Sequence, residues 1–592
     1  MKLKKTTNLE EPIAYRTRSK IQKLKNKREN LGWVSATKTH NYMLKDGICD
    51  WLKLYGKSER ISYKKRVKNY ETTFTNFLMN QGLEFESQII KYLKKTYKCI
   101  KVADFYTLAD TKKTLKFMKQ GIPIIYSAPI YNPDNKTYGI IDLLVRSDYI
   151  NKIFSQNILT TKEENIKSHV FTHGYHYRVI DIKFSTLNIS SDGKHLLNCG
   201  RIPAYKTQLY IYNRAISNLQ GYDPGVAYIM GRRWKYKSKG ITYSGNKCTD
   251  TLGIVDFNGY DSEYITKTSS AIAWYRDVLE NGINWTLYPP SRPELYPNMC
   301  IDSNEFNNMK NKVANNIGEI TMLWNCGVKN RELAMKNGVD SWKDERCNSK
   351  LLGFNENSNS GQIIDKIIKV NRDGISDILP EKIKNVKKKK WLKRSNNEMY
   401  VDFETFNDVC MDIKDIPKQN NYNMIFMIGV GMRNERGYWR YKSFIANKSS
   451  KEEELRIINE FIEFYNSYDK PPVYYWSAER NFWNQACRDH NISGFINWID
   501  ILNIFKTEHI IIKNCFGFGL KEITKNMREL GMINTELESE CSNGMMAMLK
   551  AWRSYSLKNP GNSTIMKDIE KYNEFDCKAL YDIMNFLRTK YN

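Results

Sequence analysis

The chain has 592 residues, 41% hydrophobic and 27% charged, the balance of a folded protein rather than a disordered one, and its length calls for about two to four domains. Its formal net charge of +27 favours a polyanionic partner, nucleic acid being the commonest, although a generally basic proteome would bias the composition the same way. No stretch approaches the roughly 20 apolar residues of a membrane helix, MKLKKTTNLEEP lacks the apolar core of a secretory signal, and the 12 cysteines include no CxxC pair, which argues against a zinc ribbon and for reduced thiols.

Residues 1–30 carry ten Lys or Arg and three Glu, a basic arm that opens an N-terminal extension over residues 1–70. Residues 71–295 alternate apolar strands with helical stretches, the pattern of an α/β domain. Within it, GLEFESQIIKYL (82–93) has helical spacing, and Glu86 falls on the inward stripe of Ile89, Ile90 and Leu93, where an unpaired carboxylate is costly. YGIIDLLVR (138–146) reads as a strand with Asp142 inside a run of Ile, Leu and Val. RVIDIKFS (178–185) places Asp181 and Lys183 on one strand face and Ile180, Ile182 and Phe184 on the other. AYKTQLYIYNRAI (204–216) is helical, with Gln208 and Tyr212 one turn apart. Each has a bland account: a paired or capping Glu86, a turn at Asp142, an exposed Asp181–Lys183 ion pair. All four in this order are harder to dismiss. HVFTHGYHYRV (169–179) carries His169, His173 and His176 and reads as a hairpin leading into the Asp181 strand, with a zinc site as the alternative.

This set resembles the PD-(D/E)XK nucleases of the RecB type and the CRISPR-associated exonucleases related to them. The resemblance rests on Glu86 four residues after Gly82, on Asp142, on the D-x-K of Asp181 and Lys183, and above all on the Q-x-x-x-Y of Gln208 and Tyr212. It implies that Glu86, Asp142 and Asp181 coordinate Mg2+ or Mn2+, with the Ile182 carbonyl as a further ligand. It also implies that Lys183 positions or deprotonates the attacking water and that Gln208 and Tyr212 hold DNA. Some relatives add four cysteines around an iron–sulfur cluster; the spacing here does not offer them, and no cluster is expected.

Residues 296–395 are rich in Asn, Lys and Asp and read as a helical or loop-rich connection. They end in EKIKNVKKKKWLKR (381–394), eight basic residues in fourteen, either a solvated spacer or a strip facing phosphate. The pattern changes again over residues 396–592. NEMYVDFETFND (397–408) is a strand with Asp402 and Glu404 on one face. Two such carboxylates are tolerable if a divalent cation neutralises them, or if the strand is an edge with both in water. MIFMIGVG (424–431), YWRYKSFIA (438–446), a helix EEELRIINEFIEFY (452–465) and PVYYWS (472–477) come next. Three strands, a helix and another strand suggest a ribonuclease-H-like topology. Glu479 stands at the strand–helix junction of PVYYWSAERNFWNQA (472–486), and KYNEFDCKALYDI (571–583) puts Tyr572 and Asp576 on one helix face.

This half resembles the DnaQ-like 3'-5' exonucleases of the ribonuclease H superfamily, in their DEDDy form. The resemblance implies that Asp402, Glu404, Glu479 and Asp576 hold two metal ions and that Tyr572 orients the attacking water. The family usually has Asp where this chain has Glu479, whose longer arm either still reaches a metal or marks a weakened site. Asp500, in WIDIL, fits a non-catalytic Asp of such folds.

The pairing resembles two-nuclease proteins of prokaryotes and large DNA viruses. The expectation is therefore an α/β chain with an N-terminal PD-(D/E)XK restriction-endonuclease-like domain and a C-terminal ribonuclease-H-like domain. It would hydrolyse DNA with Mg2+ or Mn2+ at two sites, as an exonuclease more than an endonuclease, on single strands or duplex ends. The setting would be DNA repair, recombination or genome processing, inside the cell, in the cytoplasm or where a viral genome replicates. No GxxxxGK[ST] loop occurs, so no nucleotide cofactor is expected and a separate helicase would do any unwinding. Two alternatives stay open: a nucleic-acid-binding scaffold or packaging protein with degenerate sites, and RNA as the C-terminal substrate.

Overall fold

The computed structural model describes residues 32–56, 74–103 and 107–592, apart from positions 173, 375, 411–412, 414–415, 419–422, 435, 537–538, 540, 542 and 558. The basic arm and His173 lie outside the described residues. Among these residues no helix is long and apolar enough to cross a membrane.

The first sheet is built from β1 (Val34–Ser35), β2 (Cys99–Lys101), β3 (Ile124–Asn132), β4 (Thr137–Arg146), β5 (Tyr177–Asn188), β6 (Val226–Ser238), β7 (Ile241–Gly245) and β8 (Gly253–Asp256). Its order is β2-β3-β4-β5-β6-β7, with β1 added to β4 and β8 to β6. Side-chain alternation fixes its two faces. Leu143, Val145, Ile180 and Ile182 pack on Phe85, Ile89 and Leu93 of α1 (Phe74–Leu93). Leu144, Tyr177 and Val179 join the opposite core, with Leu209, Tyr212 and Ile216 of α2 (Ile202–Gln220) and Ala271 and Tyr275 of α3 (Glu263–Asn281). Asp142 and Asp181 have the parity of this second face.

Residues 32–56, placed in the extension on sequence grounds, enter the same unit. Val34, Ala36, Met43 and Leu44 are buried in the α2 core, and Ile48 and Leu52 pack against Trp274 and Val278 of α3. Their elements are two to eight residues long, too short to show a period. The expected hairpin over 169–179 is a loop until β5 begins. Phe171 and Tyr175 anchor it by burial, so apolar side chains here secure a loop rather than a strand.

The connection is folded. Ile363, Ile364, Ile367 and Ile368 of α4 (Asn359–Asp373) pack with Leu323, Trp342, Leu352 and Ile511. Ile511 belongs to a two-stranded sheet of β9 (Ile378–Leu379) and β15 (Ile511–Ile512), which fastens this module to the C-terminal domain.

The second large sheet has the order β12-β11-β10-β13-β14. Its strands are β10 (Met399–Phe406), β11 (Met424–Arg433), β12 (Trp439–Ile445), β13 (Val473–Tyr475) and β14 (Trp498–Asp500). The first three are antiparallel neighbours; β13 runs parallel to β10, and β14 to β13. On one face Met399 and Val401 meet Ile457, Ile458 and Phe461 of α5 (Lys451–Ser467). On the other, Tyr400 meets Leu580, Tyr581 and Met584 of the last helix, Thr564–Tyr591. Asp402 and Glu404 share the parity of Tyr400, so they look towards that helix.

Candidate active sites

In the first sheet, the β4–β5 ladder holds as far as Leu143↔Ile180. The next N–H, that of Ile182, donates to Asp142 Oδ2 at 2.8 Å, so the Asp142 carboxylate stands in for the missing strand carbonyl. Beyond it, the pairing of β5 with β6 shifts register between Lys183 and Thr186. Lys183 Nζ lies 2.5 Å from Asp181 Oδ2. Asp181 Oδ1 is buried and accepts no hydrogen bond among the described residues. Burial first, then the charge of Asp181, pushes Asp142 well above the carboxylate range. Burial also raises Glu86, which feels both Lys183 and Asp181. For Lys183, burial opposes the charge, but Asp181 and Asp142 outweigh it and hold the ammonium above its ordinary value. Glu86, Asp142, Asp181 and Lys183 thus form one electrostatic group.

Two neighbours escaped the sequence reading. The Tyr205 ring lies 4.9 Å from Lys183 Nζ, and the His40 ring is 6.5 Å from that of Tyr205. Burial, then Arg201 and Lys183, pushes His40 down to about 4. Tyr205 sits one turn before Gln208, a signal that was available; His40 belongs to a four-residue helix that offered none. Gln208 Nε2 donates to Tyr212 Oη at 2.8 Å. Tyr212 is buried against β4, where a Cβ on Gly139 would come within 2.4 Å of its ring, and Gln208 is the more accessible of the two. His176 is buried, its Nδ1 2.8 Å from the Ile166 carbonyl and its Nε2 accepting from Arg178 at 2.9 Å. Burial, then Arg178, lowers it to about 4. Its two ring nitrogens are therefore committed within the fold, and His169 is exposed.

In the second sheet the four acids come from three elements, one strand and two helices. Asp402 pairs across the ladder with Gly429 of β11, and the register shifts just after Glu404. Glu479 is the first residue of α6 (Glu479–His490), after Ser477 in the left-handed region at φ 77°. α7 (Leu520–Glu529) and α8 (Gly544–Ser554) precede α9, the Thr564–Tyr591 helix, which brings Tyr572, Asn573 and Asp576 over β10. Asn573, absent from the sequence reading, is fully buried. Its Nδ2 lies 2.8 Å from Asp402 Oδ2, 3.2 Å from the Asp402 carbonyl and 3.4 Å from Glu404 Oε1. Lys521 of α7, also missed, donates to Asp576. Its Nζ sits 3.9 Å from the centre of the Tyr572 ring and 4.4 Å from that of Phe575. Asp500 accepts from the Ser477 and Asn503 N–H groups at 3.2 and 3.3 Å, capping the Ile501–Glu508 helix.

Burial, then Asp576, pushes Glu404 up to about 8. Burial takes Glu479 to about 8 as well, against backbone donors that pull it down. Asp402 is pushed well above the carboxylate range, by burial and then by Asp576, Glu404 and Glu479 in turn. Asp576 is raised by burial although Lys521 pulls it down. Burial and the Asp576 charge also raise Tyr572, which keeps its phenolic proton.

Residues 409–588 match a family model described as RNase_H superfamily. The C-terminal domain is ribonuclease-H-like. The match takes in Glu479, Tyr572 and Asp576 and begins just past Asp402 and Glu404, which the central strand of the same sheet supplies. No curated protein and no solved structure matches the chain. Ribonuclease-H-like folds generally carry metal-dependent nucleases. Among the described residues no three His, Cys, Asp or Glu side chains are arranged to hold a metal ion as they stand. In each group a lysine is ion-paired with one acid instead, Lys183 with Asp181 and Lys521 with Asp576. The donors nonetheless fit a hard divalent cation. They are all oxygen, largely buried, and each group keeps an orphaned buried carboxylate oxygen, Asp181 Oδ1 and Glu479 Oε2.

Proposed function

We propose that the protein is a divalent-metal-dependent nuclease with two separate sites, acting on DNA and working from strand ends. The observation that carries this reading is the burial of Asp402, Glu404, Glu479 and Asp576 in one shared field beside Tyr572. In the ribonuclease-H-like domain those four acids would hold the metal, and in the N-terminal domain Glu86, Asp142 and Asp181 would, as in RecB-type enzymes. A bound Mg2+ or Mn2+ supplies an activated water and offsets the phosphate charge. Tyr572, kept protonated, orients that water through its hydroxyl. Asn573 fixes the Asp402 and Glu404 carboxylates with an uncharged donor, leaving their charge for the cation. Lys183 Nζ, already beside Asp181, donates to the attacking water or to a phosphate oxygen. The basic surface adds backbone affinity without sequence choice. DNA repair, recombination or genome processing is the setting this implies, with unwinding left to a separate helicase.

The test uses labelled single- and double-stranded DNA and RNA, each with Mg2+, Mn2+ or EDTA. Asp402→Ala should remove one class of products, Lys183→Ala another, and the double variant all cleavage. RNA cut only when Asp402 is intact would assign RNA to the ribonuclease-H-like site. Wild-type protein that binds these substrates and leaves every one intact with metal would replace this reading by a nucleic-acid-binding scaffold, which Glu479 in place of the family's Asp favours.

A further inference from the structure

The Lys-rich segment 381–394 is not a free spacer. Trp391 and Leu392 are buried in the ribonuclease-H-like domain beside Ile504 and Phe505. Arg588, paired with Glu398, donates its Nε to the Trp391 carbonyl at 2.9 Å. Lys389 pairs with Glu508 at 2.5 Å. Around these anchors the chain makes two tight turns, Val386–Lys388 just before Lys389 and Lys390–Leu392 just after it. Four consecutive lysines, Lys387 to Lys390, are therefore held close and cannot relax their mutual repulsion by spreading, as they would on a loose tether. Among the described residues Glu508 offsets only one of them.

Lys388 and Lys390, both exposed, stand on the rim of a recess of about 610 Å³. Its other wall is Tyr475, Arg480, Trp498 and Asp500. Arg480 directly follows Glu479, and Asp500 accepts from Ser477 two residues before it, so the recess adjoins the Glu479 side of the acid cluster. With Lys389 and Glu508 cancelling, the described lining of the recess sets three cations, Lys388, Lys390 and Arg480, against Asp500. The Trp498 ring, edge-on to Tyr475 at 5.4 Å, is the half-buried aromatic of the wall.

We propose that this recess is a subsite for single-stranded nucleic acid, taking backbone phosphates on Lys388, Lys390 and Arg480 and a base against Trp498, as the strand runs to or from Glu479. The inference rests on the nuclease reading of this domain. A concave recess of this volume receives an unpaired nucleotide, whereas a duplex offers it only a convex backbone. Cations lining a groove with an aromatic beside them are the means by which single strands are held without sequence choice.

The experiment is fluorescence anisotropy with labelled oligo-dT, oligo-rU and a DNA duplex, on the full chain in EDTA, over a salt series. Lys388→Gln with Lys390→Gln should weaken single-strand binding about tenfold and flatten the log–log salt slope by about 1.4, the share of two phosphate contacts on a single strand. Arg480→Gln should add to the loss. Lys162→Gln with Lys167→Gln, equal in charge and exposed in the N-terminal domain, is the control. A 388/390 variant that binds and titrates as the control does overturns the subsite, and so does an equal loss with duplex, which would mark a general charged patch. Loss with oligo-dT alone, or with oligo-rU alone, supports the subsite and names its polymer. Because nothing is cleaved in EDTA, an inactive wild type would sink the nuclease reading while leaving this binding result standing.

Discussion

Asn573 Nδ2 and Asp402 Oδ2 stand 2.8 Å apart, a bond between the last helix and the central strand that only a glycine opposite permits. Asp402 pairs with Gly429, and a Cβ there would lie 1.5 Å from Asn573 Oδ1. Asn573 Oδ1 in turn accepts from Tyr441 at 3.0 Å. Asn573→Ala should cost about 1–3 kcal/mol, because buried polar partners are left unpaired. Gly429→Ala should do at least as much by displacing the carboxamide, and both variants should lose the cleavage assigned to Asp402. Urea denaturation with parallel cleavage assays checks this. Gly429→Ala with native stability and native cleavage would falsify the arrangement.

Metal and proton should compete for the second site. Glu404 and Glu479 are pushed up to about 8 by burial, against about 4.3 for an unfolded Glu. Between those values the folded, metal-free protein holds protons that the unfolded chain has released. The stability this confers is complete below about pH 4.3 and is lost as pH rises through about 8. In EDTA the melting temperature should therefore fall from about pH 5 to pH 8, and Mg2+ should raise it most at the alkaline end. Scanning calorimetry measures both. A Mg2+ shift as large at pH 5 as at pH 8 contradicts the linkage.

Periodicity accounts for the part of the two sites that was legible in the sequence. A strand alternates, so Asp402 with Glu404 and Asp181 with Lys183 could each be put on one face. A helix returns every 3.6 residues, so Tyr572 with Asp576 could too. The hidden part depends on tertiary contact. Asn573 lies between Tyr572 and Asp576 on the same helix, yet its importance comes from Gly429 on another strand. Lys521 is 55 residues from Asp576 along the chain, on a helix whose sequence announces no charge partner. Residues 32–56 enter the first core through elements too brief to show periodicity. The isoleucines of α4 do have a helical spacing, but polar neighbours on every side drowned it.

Lys521 should set the pH at which the second site accepts metal. It lowers Asp402, Glu404 and Asp576 together. Lys521→Ala removes that pull, so the carboxyls release their protons at higher pH and the midpoint of Mn2+ binding should move up. Lys521→Arg should restore most of it, since charge rather than shape is responsible. Titration calorimetry with Mn2+ across pH, on the Lys183→Ala background to simplify the isotherm, reads the midpoint. An unmoved midpoint in Lys521→Ala would show that Asp576 does not depend on this lysine.

The two halves should come apart at Asp408. Four residues beyond Glu404, it accepts from Arg232 through its carbonyl at 2.9 Å and through Oδ1 at 2.7 Å, and its Oδ2 accepts from Arg233 at 2.7 Å. Arg232 lies 5.0 Å from the Phe184 ring, next to Lys183. The join continues from Gln81 to the Val409 carbonyl and from the Cys248 N–H to the Pro417 carbonyl. Ile413 is buried in the N-terminal core, while Phe74 and Phe77 of α1 pack on the C-terminal one. Breaking a largely buried pair costs about 3–5 kcal/mol, and Asp408→Ala leaves two guanidiniums without their carboxylate. That cost falls on the join, not on either core. The variant should therefore replace one thermal transition by two and open a protease-sensitive point between residues 407 and 423, while each site retains its chemistry on short oligonucleotides. A single transition at the native midpoint, with native proteolysis, would mean that α1 and Ile413 hold the halves together without the clasp.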